Sequence, residues 1–332
     1  MAGMVSVPIY PTAGEATISY VLEHSGAQAV FIGKLDDQSA INNAVPPAVD
    51  KIAFPYQPVS GARSWDEWLA AFEPMDAIAS PAPEDTLTIP YTSGSTGRPK
   101  GVVISHLNLA ASAYHTWQVL GGGMDERLLS YLPLAHITER AVVEMVSLYA
   151  RSQLFFNESL DTFVDDLRYV RPTAFVSVPR LWSRIQSQVL SAMPDKKLQK
   201  LLAVPVIGKI VAHRIRKKLG FDKAQRFGSG TAPISPSVLQ WYQRLGISIG
   251  EGWGMTENSA YGTGCVPFRA DKIGCIGHAY EGVDIRIAED GEIQVKGPCN
   301  MKEYYLEPEK TAEVMTEDGY LRTGDKGSMD ED

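Results

Sequence analysis

A loop rich in glycine and hydroxyl residues is the feature that most limits how this chain can fold. Residues 91–106 read YTSGSTGRPKGVVISH, and apolar runs lie at 87–89 and 102–104. Glycine lets a backbone approach a ligand closely, while hydroxyls and free N–H groups bind anions. With the added charges of Arg98 and Lys100, the pattern predicts a phosphate-binding loop between two strands.

Three familiar motifs do not fit this loop. The Walker pattern requires glycine where Pro99 stands, and it requires serine or threonine where Gly101 follows the lysine. The dinucleotide pattern G-x-G-x-x-G is missing, and so is the nucleophile elbow G-x-S-x-G, because Gly94 and Gly97 stand one residue too close. The β-branched run at 102–104 disfavours an immediate helix. The sequence therefore predicts a phosphate-binding loop between two strands that belongs to none of these three motifs.

The stretch YTSGSTGRPKG resembles the phosphate loop of the adenylate-forming enzymes, which include acyl-CoA synthetases, luciferases and the adenylation domains of peptide synthetases. The resemblance implies that the loop holds the β- and γ-phosphates of ATP and that Lys100 is catalytic. Its nucleotide-binding positions are then Thr92, Ser93, Gly94, Ser95, Thr96 and Gly97. On residue types alone, a flexible surface turn rich in serine and glycine is the alternative.

Two further stretches resemble the family's motifs for the acyl and adenine sites. YLPLAHITER at 131–140 is closest in wording to the long-chain acyl-CoA synthetases, and it implies that His136 is a catalytic residue at the mouth of the acyl pocket. RFGSGTAPIS at 226–235 implies adenine-binding positions at Gly228, Ser229, Gly230, Thr231 and Ala232, although the motif more often has glycine where Ser229 stands. Without the resemblance, a lone histidine is more often a cap or core residue, and the second stretch is a simple turn.

A metal ligand and a phosphate donor stand side by side in GEGWGMTENSAYGTG at 250–264. Glu257 offers carboxylate oxygens suited to Mg²⁺, and Thr256 can donate to the α-phosphate. The stretch resembles the family motif G-Y-G-x-T-E, which implies that both residues are catalytic; Trp253 replaces the usual tyrosine but still offers a stacking face for adenine. The remaining positions implied here are Trp253, Gly254 and Met255 for the nucleotide, and Ser259, Ala260 and Gly262 for the acyl pocket, beside His136.

The last motif is YLRTGDKG at 320–327. A carboxylate that accepts from two ribose hydroxyls is a recurrent way to hold a nucleoside, and the resemblance gives this role to Asp325. Taken alone, an aspartate that follows glycine is most often a turn residue.

Composition limits the class of protein. The 332 residues are 44% hydrophobic and 21% charged, which is typical of a soluble globular protein with one large or two ordinary domains. A net charge of −8 argues against nucleic acid as a general partner. The three cysteines form no C-x-x-C pair, and the sequence shows neither a signal peptide nor an apolar run of membrane-spanning length. We therefore expect a cytoplasmic protein.

Apolar runs alternate with helical patterns, which predicts an α/β fold of mostly parallel sheets flanked by helices. Val5–Ile9 and Leu87–Tyr91 have the pattern of strands, and Thr12 with Glu15 has the pattern of a capping box. From residue 270 onward, short strand signals separated by turns predict a small C-terminal β subdomain. The predicted domains are an AMP-binding core at 1–269 and the β-rich subdomain at 270–332.

Positive charge is concentrated in residues 196–226, which carry ten cations and one acid, Asp222. This segment has a charge of +9 against −17 for the rest of the chain, and it contains the run LLAVPVIGKIVAHRI. A basic amphipathic segment suits an anionic membrane surface, so peripheral membrane contact is one interpretation. The other is a solvated helix face packed on the domain.

The resemblance implies that the protein activates a long-chain fatty acid with ATP to acyl-AMP and then transfers the acyl group to CoA, with the help of Mg²⁺. The family is longer at both ends, so we expect a fragment of the large domain without the hinge and the small domain that bears the adenylation lysine, and hence slow turnover. Two other hypotheses stay open. One is a catalytically weak nucleotide- and acyl-binding fragment, and the other is an adenylate-forming enzyme for an aryl or other carboxylic acid.

Overall fold

The computed structural model describes residues 3–92, 97–121, 123 and 126–332. The chain divides into two compact units, which are taken separately below. Unit 1 comprises Met1–His106, Pro133–His136 and Met301–Thr311, and unit 2 comprises Leu107–Leu132, Ile137–Asn300 and Ala312–Asp332. This division differs from the domain boundary predicted at residue 270, which stays a prediction.

The described residues form seventeen strands, which are β1 Ala29–Ile32, β2 Asp50–Ala53, β3 Arg63–Ser64, β4 Thr86–Thr88, β5 Tyr91–Thr92, β6 Lys100–Ser105, β7 Arg127–Ser130, β8 Gln153–Phe156, β9 Ala174–Ser177, β10 Arg226–Ser229, β11 Ile249–Trp253, β12 Thr263–Gly264, β13 His278–Ala279, β14 Asp284–Ile287, β15 Glu292–Lys296, β16 Glu303–Tyr304 and β17 Leu321–Lys326. The helices among them are α1 Glu15–Ser25, α2 Ser39–Ala44, α3 Trp65–Leu69, α4 His106–Val119, α5 Val146–Ala150, α6 Phe163–Val170, α7 Pro179–Ala192, α8 Asp195–Leu202, α9 Pro205–Lys218, α10 Pro236–Arg244 and α11 Pro308–Val314. A π-helix covers Glu139–Met145, and 3₁₀ turns cover Thr256–Asn258 and Ala270–Lys272.

Two predictions near the start of the chain are wrong. Val5–Ile9, all of it described, forms no strand and contributes a single isolated bridge at Ser6. Pro8 explains this, because it has no N–H to donate to a ladder. The capping box predicted for Thr12 and Glu15 is not formed either, since α1 begins at Glu15 itself and no described side chain caps it.

Unit 1 contains a parallel sheet of β1, β2 and β3 and an antiparallel sheet in which β6 pairs with β4, β5 and β16. Strands β5 and β6 flank the phosphate-loop stretch along the chain and pair antiparallel, which agrees with the strands predicted on either side of it. The strand predicted at Leu87–Tyr91 is split into β4 and β5. The split falls at Ile89 and Pro90, where proline again removes a backbone donor.

Unit 2 is organised around a five-stranded sheet in the order β13–β12–β11–β10–β9. Strands β9, β10 and β11 run parallel, whereas β12 and β13 extend the sheet antiparallel. A parallel pair, β7 with β8, and an antiparallel sheet of β14, β15 and β17 complete the unit. The predicted α/β fold is confirmed, with sheets that mix parallel and antiparallel pairs.

The core of unit 2 supports the end of β10. Trp182 is completely buried among aromatic rings, with the ring centroids of Phe175, Phe221 and Tyr242 within 6 Å. Its indole N–H donates to the carbonyl of Gly228 across 3.2 Å. The Tyr242 hydroxyl donates to the Trp182 carbonyl across 2.7 Å. The core therefore fixes the backbone where the predicted adenine motif begins.

The short antiparallel strands predicted after residue 270 are present as β14 and β15. Two other strands of that segment pair elsewhere, β13 with the five-stranded sheet and β16 with β6 of unit 1. Among the helices that the structure describes, none combines the length and apolar character needed to cross a membrane.

Candidate functional site

The predicted adenine motif lies at the carboxyl ends of the parallel strands, as expected for ligand-binding loops of α/β sheets. Because β10 is flanked by β9 and β11, space beside it is limited. A Cβ at Gly228 would lie 3.2 Å from the side chain of Val176, and one at Gly230 would lie 3.1 Å from the carbonyl of Gly252. Thr231 has a φ of 73°, in the left-handed region. The motif is thus a tightly packed turn with accessible backbone.

A cavity of about 340 Å³ adjoins this turn within unit 2. The predicted positions that line it are Gly228, Ser229, Gly230, Thr231, Trp253, Gly254 and Ala260. Much of the remaining wall is apolar and includes Leu120, Val142, Val176, Phe227, Val266 and Phe268. The structure therefore brings the end of β10 and the end of β11 together around one apolar cavity.

The segment after β11 is held in a tight 3₁₀ turn at Thr256–Asn258. The Asn258 side chain, completely buried, accepts from the backbone N–H of Met255 across 2.8 Å. Glu257 is also buried, with 6% of its surface exposed. Of the predicted positions in unit 2, those that are not part of the cavity wall formed by the described residues are Ala232, Met255, Thr256, Glu257, Ser259, Gly262 and Asp325.

Ser259 and Gly262 have clear structural roles. The Ser259 hydroxyl donates to the carbonyl of Cys299 across 2.8 Å, and the Ser259 carbonyl accepts from the Ser112 hydroxyl at the same distance. A Cβ at Gly262 would lie 2.7 Å from the Trp253 ring, so glycine there leaves room for the indole. These contacts give the two residues a part in the packing of this segment.

Trp253 and Asp325 are brought together from different motifs. The indole N–H donates to a carboxylate oxygen of Asp325 across 2.7 Å, and Asp325 itself is exposed near the end of β17. Nothing in the sequence indicated this contact, because the two residues are far apart along the chain. The pair places an anionic acceptor at the edge of an aromatic ring.

The remaining predicted residues lie in unit 1. Thr92 pairs with Lys100 across β5 and β6, and the Lys100 ammonium lies 4.1 Å from the centroid of the Tyr304 ring. Gly97 has a φ of 153°, which favours glycine. His136 is half-buried, and burial lowers its pKa. The other predicted loop positions, Ser93, Gly94, Ser95 and Thr96, lie outside the described residues.

Glu139 is a buried acid that the sequence did not single out, although it belongs to the quoted YLPLAHITER stretch. It lies on the π-helix, is completely buried and accepts from the backbone N–H of Leu132 across 3.3 Å. Burial raises the pKa of its carboxyl to about 7. Its spacing of three, four and seven residues from Val142, Val143 and Val146 puts it on the apolar face of a helical pattern, which was the signal that could have found it.

A metal ion would have few protein ligands here. Within the described part of the chain, no group of three or more histidine, cysteine, aspartate or glutamate side chains is placed to hold one. Glu257 is the predicted metal ligand, and a single buried carboxylate is compatible with Mg²⁺, which commonly takes one or two carboxylates together with substrate phosphates.

Comparison with known proteins gives consistent similarities. The family model described as AMP-binding enzyme matches residues 1–305. A putative fatty-acid–CoA ligase fadD11 of Mycobacterium tuberculosis is 36% identical over 75% of this chain and 49% of its own length. The peroxisomal long chain acyl-CoA synthetase 7 of Arabidopsis thaliana is 31% identical over 97% of this chain and 52% of its own length. The chain thus spans about half the length of the curated relatives it matches.

Solved structures share the fold. The N-terminal domain of FACL13 from Mycobacterium tuberculosis superposes with a TM-score of 0.77 over 98% of this chain and 78% of that one, at 23% identity. The apo form of MatB from Rhodopseudomonas palustris gives a TM-score of 0.74 over 98% of this chain and 62% of that one, at 26% identity.

Proposed function

Because the chain belongs to the AMP-binding enzyme family, we propose that it is the nucleotide- and acyl-binding part of a ligase that activates long-chain fatty acids with ATP for transfer to CoA. The observation that carries this proposal is the apolar cavity of about 340 Å³, whose wall includes both the predicted adenine turn and Trp253. A largely apolar cavity with a few polar groups at one side suits an acyl chain. The names of the curated relatives, which are fatty-acid–CoA ligases and acyl-CoA synthetases, support the same substrate class.

The reaction requires a better leaving group than a carboxylate has. A carboxylate oxygen attacks the α-phosphorus of ATP, the bond to the bridging oxygen breaks, and pyrophosphate leaves with that electron pair. The sulfur of CoA, which gives up its proton to solvent, then attacks the carbonyl carbon of the acyl-adenylate; the bond from that carbon to the phosphate oxygen breaks, and AMP leaves with its electron pair. Negative charge moves among the phosphate oxygens during the reaction. The main task of the catalytic residues is therefore to stabilise that charge electrostatically.

Three residues of this chain perform that task in the proposal. Thr256 donates its hydroxyl to the α-phosphate, and Lys100 places its ammonium beside the β- and γ-phosphates that the loop at 93–96 holds. The ammonium of Lys100 lies over the ring of Tyr304, and this cation–π contact fixes the position of the positive charge. Glu257 would hold Mg²⁺, and the ion would supply positive charge that offsets the charge of the phosphates.

The adenosine part is held by backbone and by two side chains. Adenine lies against the turn Gly228–Ala232 and stacks on Trp253, whose position depends on Gly262. Asp325 accepts from the ribose hydroxyls, with its carboxylate oriented by the indole N–H. Ala260 forms part of the cavity wall, and Ser259 and Gly262 support that wall. The role of His136 at the mouth of the acyl pocket rests on the family resemblance.

A cytoplasmic enzyme that touches membranes peripherally is the second part of the proposal. The observation behind it is an exposed apolar stripe on α9, where Val206 is 71% exposed and Ile207 and Ile210 are 45% and 47% exposed. Exposed cations stand on the same helix, including Lys209 and Arg214. An apolar stripe flanked by cations suits an anionic lipid surface, which is also where long-chain acids partition.

Pyrophosphate release tests the proposed reaction. With ATP and Mg²⁺, the protein is expected to release pyrophosphate in the presence of long-chain fatty acids, and little with aryl or short acids. Release with aryl acids alone would support the aryl alternative instead. Calorimetry with ATP and with stable acyl-adenylate analogues separates binding from turnover. Binding without release would support the catalytically weak alternative, and a folded sample that binds neither ligand would refute the proposal.

A further inference from the structure

A second, smaller apolar cavity lies behind the wall of the large one in unit 2. Its volume is about 40 Å³, and its lining includes Leu128, Leu129, Val143, Val146, Ala150 and Phe175. Five of the described residues line both cavities, so the two share one wall, formed by Leu120, Val142, Ala174, Val176 and Arg226. None of the described positions predicted to bind the nucleotide or the acyl chain lines this second cavity.

Arg226 is the only charged residue among those five, and it is held firmly. One guanidinium nitrogen forms an ion pair with Glu126, which lines the second cavity, and another donates to the carbonyl of Gly121 across 2.9 Å. Glu126 also accepts from the Thr173 hydroxyl, whose oxygen accepts in turn from the backbone N–H of Arg127 across 2.9 Å. The side chains of Arg226 and Glu126 are only 27% and 14% exposed. The guanidinium therefore has a fixed place in the shared wall.

The adjoining wall comes from the π-helix at Glu139–Met145. Val142 faces both cavities, and its neighbour Val143 faces only the second one. A π-helix contains more residues per turn than an α-helix, so it presents side chains in a spacing that an α-helix does not offer. The second cavity is thus a space bounded mostly by apolar side chains, with the Arg226–Glu126 pair as its charged part and the Ser152 hydroxyl and the Trp117 indole as its other polar groups.

We infer that the Arg226–Glu126 pair sets the longest acyl chain that the large cavity accepts, and that the second cavity is a subsite for the terminal methylenes of longer chains when the pair is opened. The inference rests on the proposed fatty-acid function. An acyl chain that reaches the shared wall enters the second cavity only when it displaces the Arg226 guanidinium. That guanidinium is paired with Glu126, which lines the second cavity. A pair that loses one partner leaves an uncompensated charge in a poorly hydrated place, which opposes such displacement.

The test compares acyl chains of graded length on wild type and on the double variant Arg226→Met, Glu126→Gln. The glutamine keeps an acceptor for Thr173 and removes the charge that the methionine would leave unpaired. Stable acyl-sulfamoyl adenosines from octanoyl to eicosanoyl serve as ligands, and calorimetry gives each Kd. In wild type we expect Kd to fall with each added methylene up to a limiting length. In the double variant we expect Kd to keep falling for about two more methylenes. Each added methylene should lower Kd roughly fourfold, as expected for the burial of one methylene.

Three further variants separate a length limit from a general structural effect. Arg226→Lys keeps a cation opposite Glu126 and is expected to keep the wild-type limit. Ala150→Leu fills the second cavity, so it should leave the wild-type limit unchanged and abolish the extension in the double variant. Glu126→Gln alone releases Arg226 from its charged partner and should extend the limit by at least one methylene. This single variant supplies the test if the double variant does not fold.

The outcomes are distinguishable. An unchanged limit in the variants, with an unfolding temperature close to that of wild type, overturns the inference. Equal loss of affinity at every chain length also overturns it, because it indicates a structural role alone. If wild type binds AMP but no acyl analogue, the proposed fatty-acid function fails, and the length limit fails with it. A limit that moves as described, while pyrophosphate release is slow, supports the subsite independently of turnover.

Discussion

The indole N–H of Trp253 donates to the carboxylate of Asp325 across 2.7 Å, and this bond joins residues 72 positions apart. The sequence motifs give the two residues separate tasks, one as a stacking face for adenine and the other as an acceptor for ribose. A carboxylate has about four acceptor sites, so the indole orients the group and leaves sites for a ligand. One hydrogen bond thus connects the positions proposed for base and sugar.

We expect Asp325→Ala to weaken the binding of AMP and of ATP by similar factors, because both ligands carry the same ribose. Loss of a hydrogen bond to a charged acceptor is expected to raise Kd about tenfold or more. Calorimetry with both nucleotides measures this. The 2′-deoxy nucleotides should bind wild type more weakly than the ribonucleotides do, and the variant should no longer distinguish the two.

Trp253→Phe is the matched control for that experiment. It removes the indole N–H but keeps an aromatic face, so it should weaken nucleotide binding less than the loss of the carboxylate does. If 2′-deoxy-AMP binds wild type as tightly as AMP, Asp325 does not contact the ribose at that position and its assignment is wrong.

Glu257→Gln should reduce the effect of Mg²⁺ on ATP binding while leaving AMP binding in the absence of metal nearly unchanged. The amide keeps the size of the side chain but lacks the charge that Mg²⁺ requires. Titration of ATP with and without Mg²⁺ measures the difference. Glu251→Gln is a suitable comparison, because Glu251 is a similarly buried carboxylate on the preceding strand, 8% exposed. Equal Mg²⁺ dependence in wild type and Glu257→Gln would exclude the metal role.

The sequence could predict the parts of the site that depend on residues close together along the chain. The adenine turn follows β10 and the T-E pair follows β11, and parallel neighbouring strands end at the same edge of their sheet. Two local predictions failed where proline intervened, at Pro8 and at Pro90, because apolar patterning was given more weight than the missing backbone donor.

Other features could not be predicted because they depend on tertiary contacts or on an unusual helix. The Trp253–Asp325 bond requires β17 to lie beside the end of β11, which no local pattern indicates. Val142 and Val143 line adjoining cavities because they are on a π-helix, whereas sequence periodicity assumes an α-helix. The ion pair of Arg226 with Glu126 joins residues one hundred positions apart and is visible only in the folded chain.

Trp182→Phe should lower the free energy of unfolding more than Trp241→Phe does. Both residues are buried in unit 2, but only the Trp182 indole has a hydrogen-bond partner among the described residues, the Gly228 carbonyl. The lost hydrogen bond to that carbonyl is expected to cost about 0.5–1.5 kcal/mol in addition to the lost packing. Urea unfolding measures both variants. Equal losses would show that packing alone accounts for the effect.

Val206→Ser should weaken binding to vesicles that contain anionic phosphatidylserine. Loss of one inserted apolar side chain is expected to reduce partitioning about tenfold. Flotation with phosphatidylserine and with phosphatidylcholine vesicles measures this, and raised salt should weaken the anionic case. Leu148→Ser is the matched control, because Leu148 on α5 is 69% exposed but lies outside the basic segment. If wild type does not bind anionic vesicles at low salt, the membrane interpretation is wrong.

Glu139→Gln should remove a pH dependence of stability. Burial raises the pKa of Glu139 from 4.5 to about 7, so between these values the folded chain keeps a proton that the unfolded chain releases. The stabilisation from that proton is complete below about pH 4.5 and is lost as pH rises through 7. Glutamine stays neutral and can still accept from Leu132, so the variant should match wild type near pH 5 and exceed it by about 1–3 kcal/mol above pH 7. Urea unfolding across this range measures the difference, with the exposed Glu313→Gln as control. Parallel stability curves for wild type and Glu139→Gln would show that Glu139 ionises normally inside the folded protein.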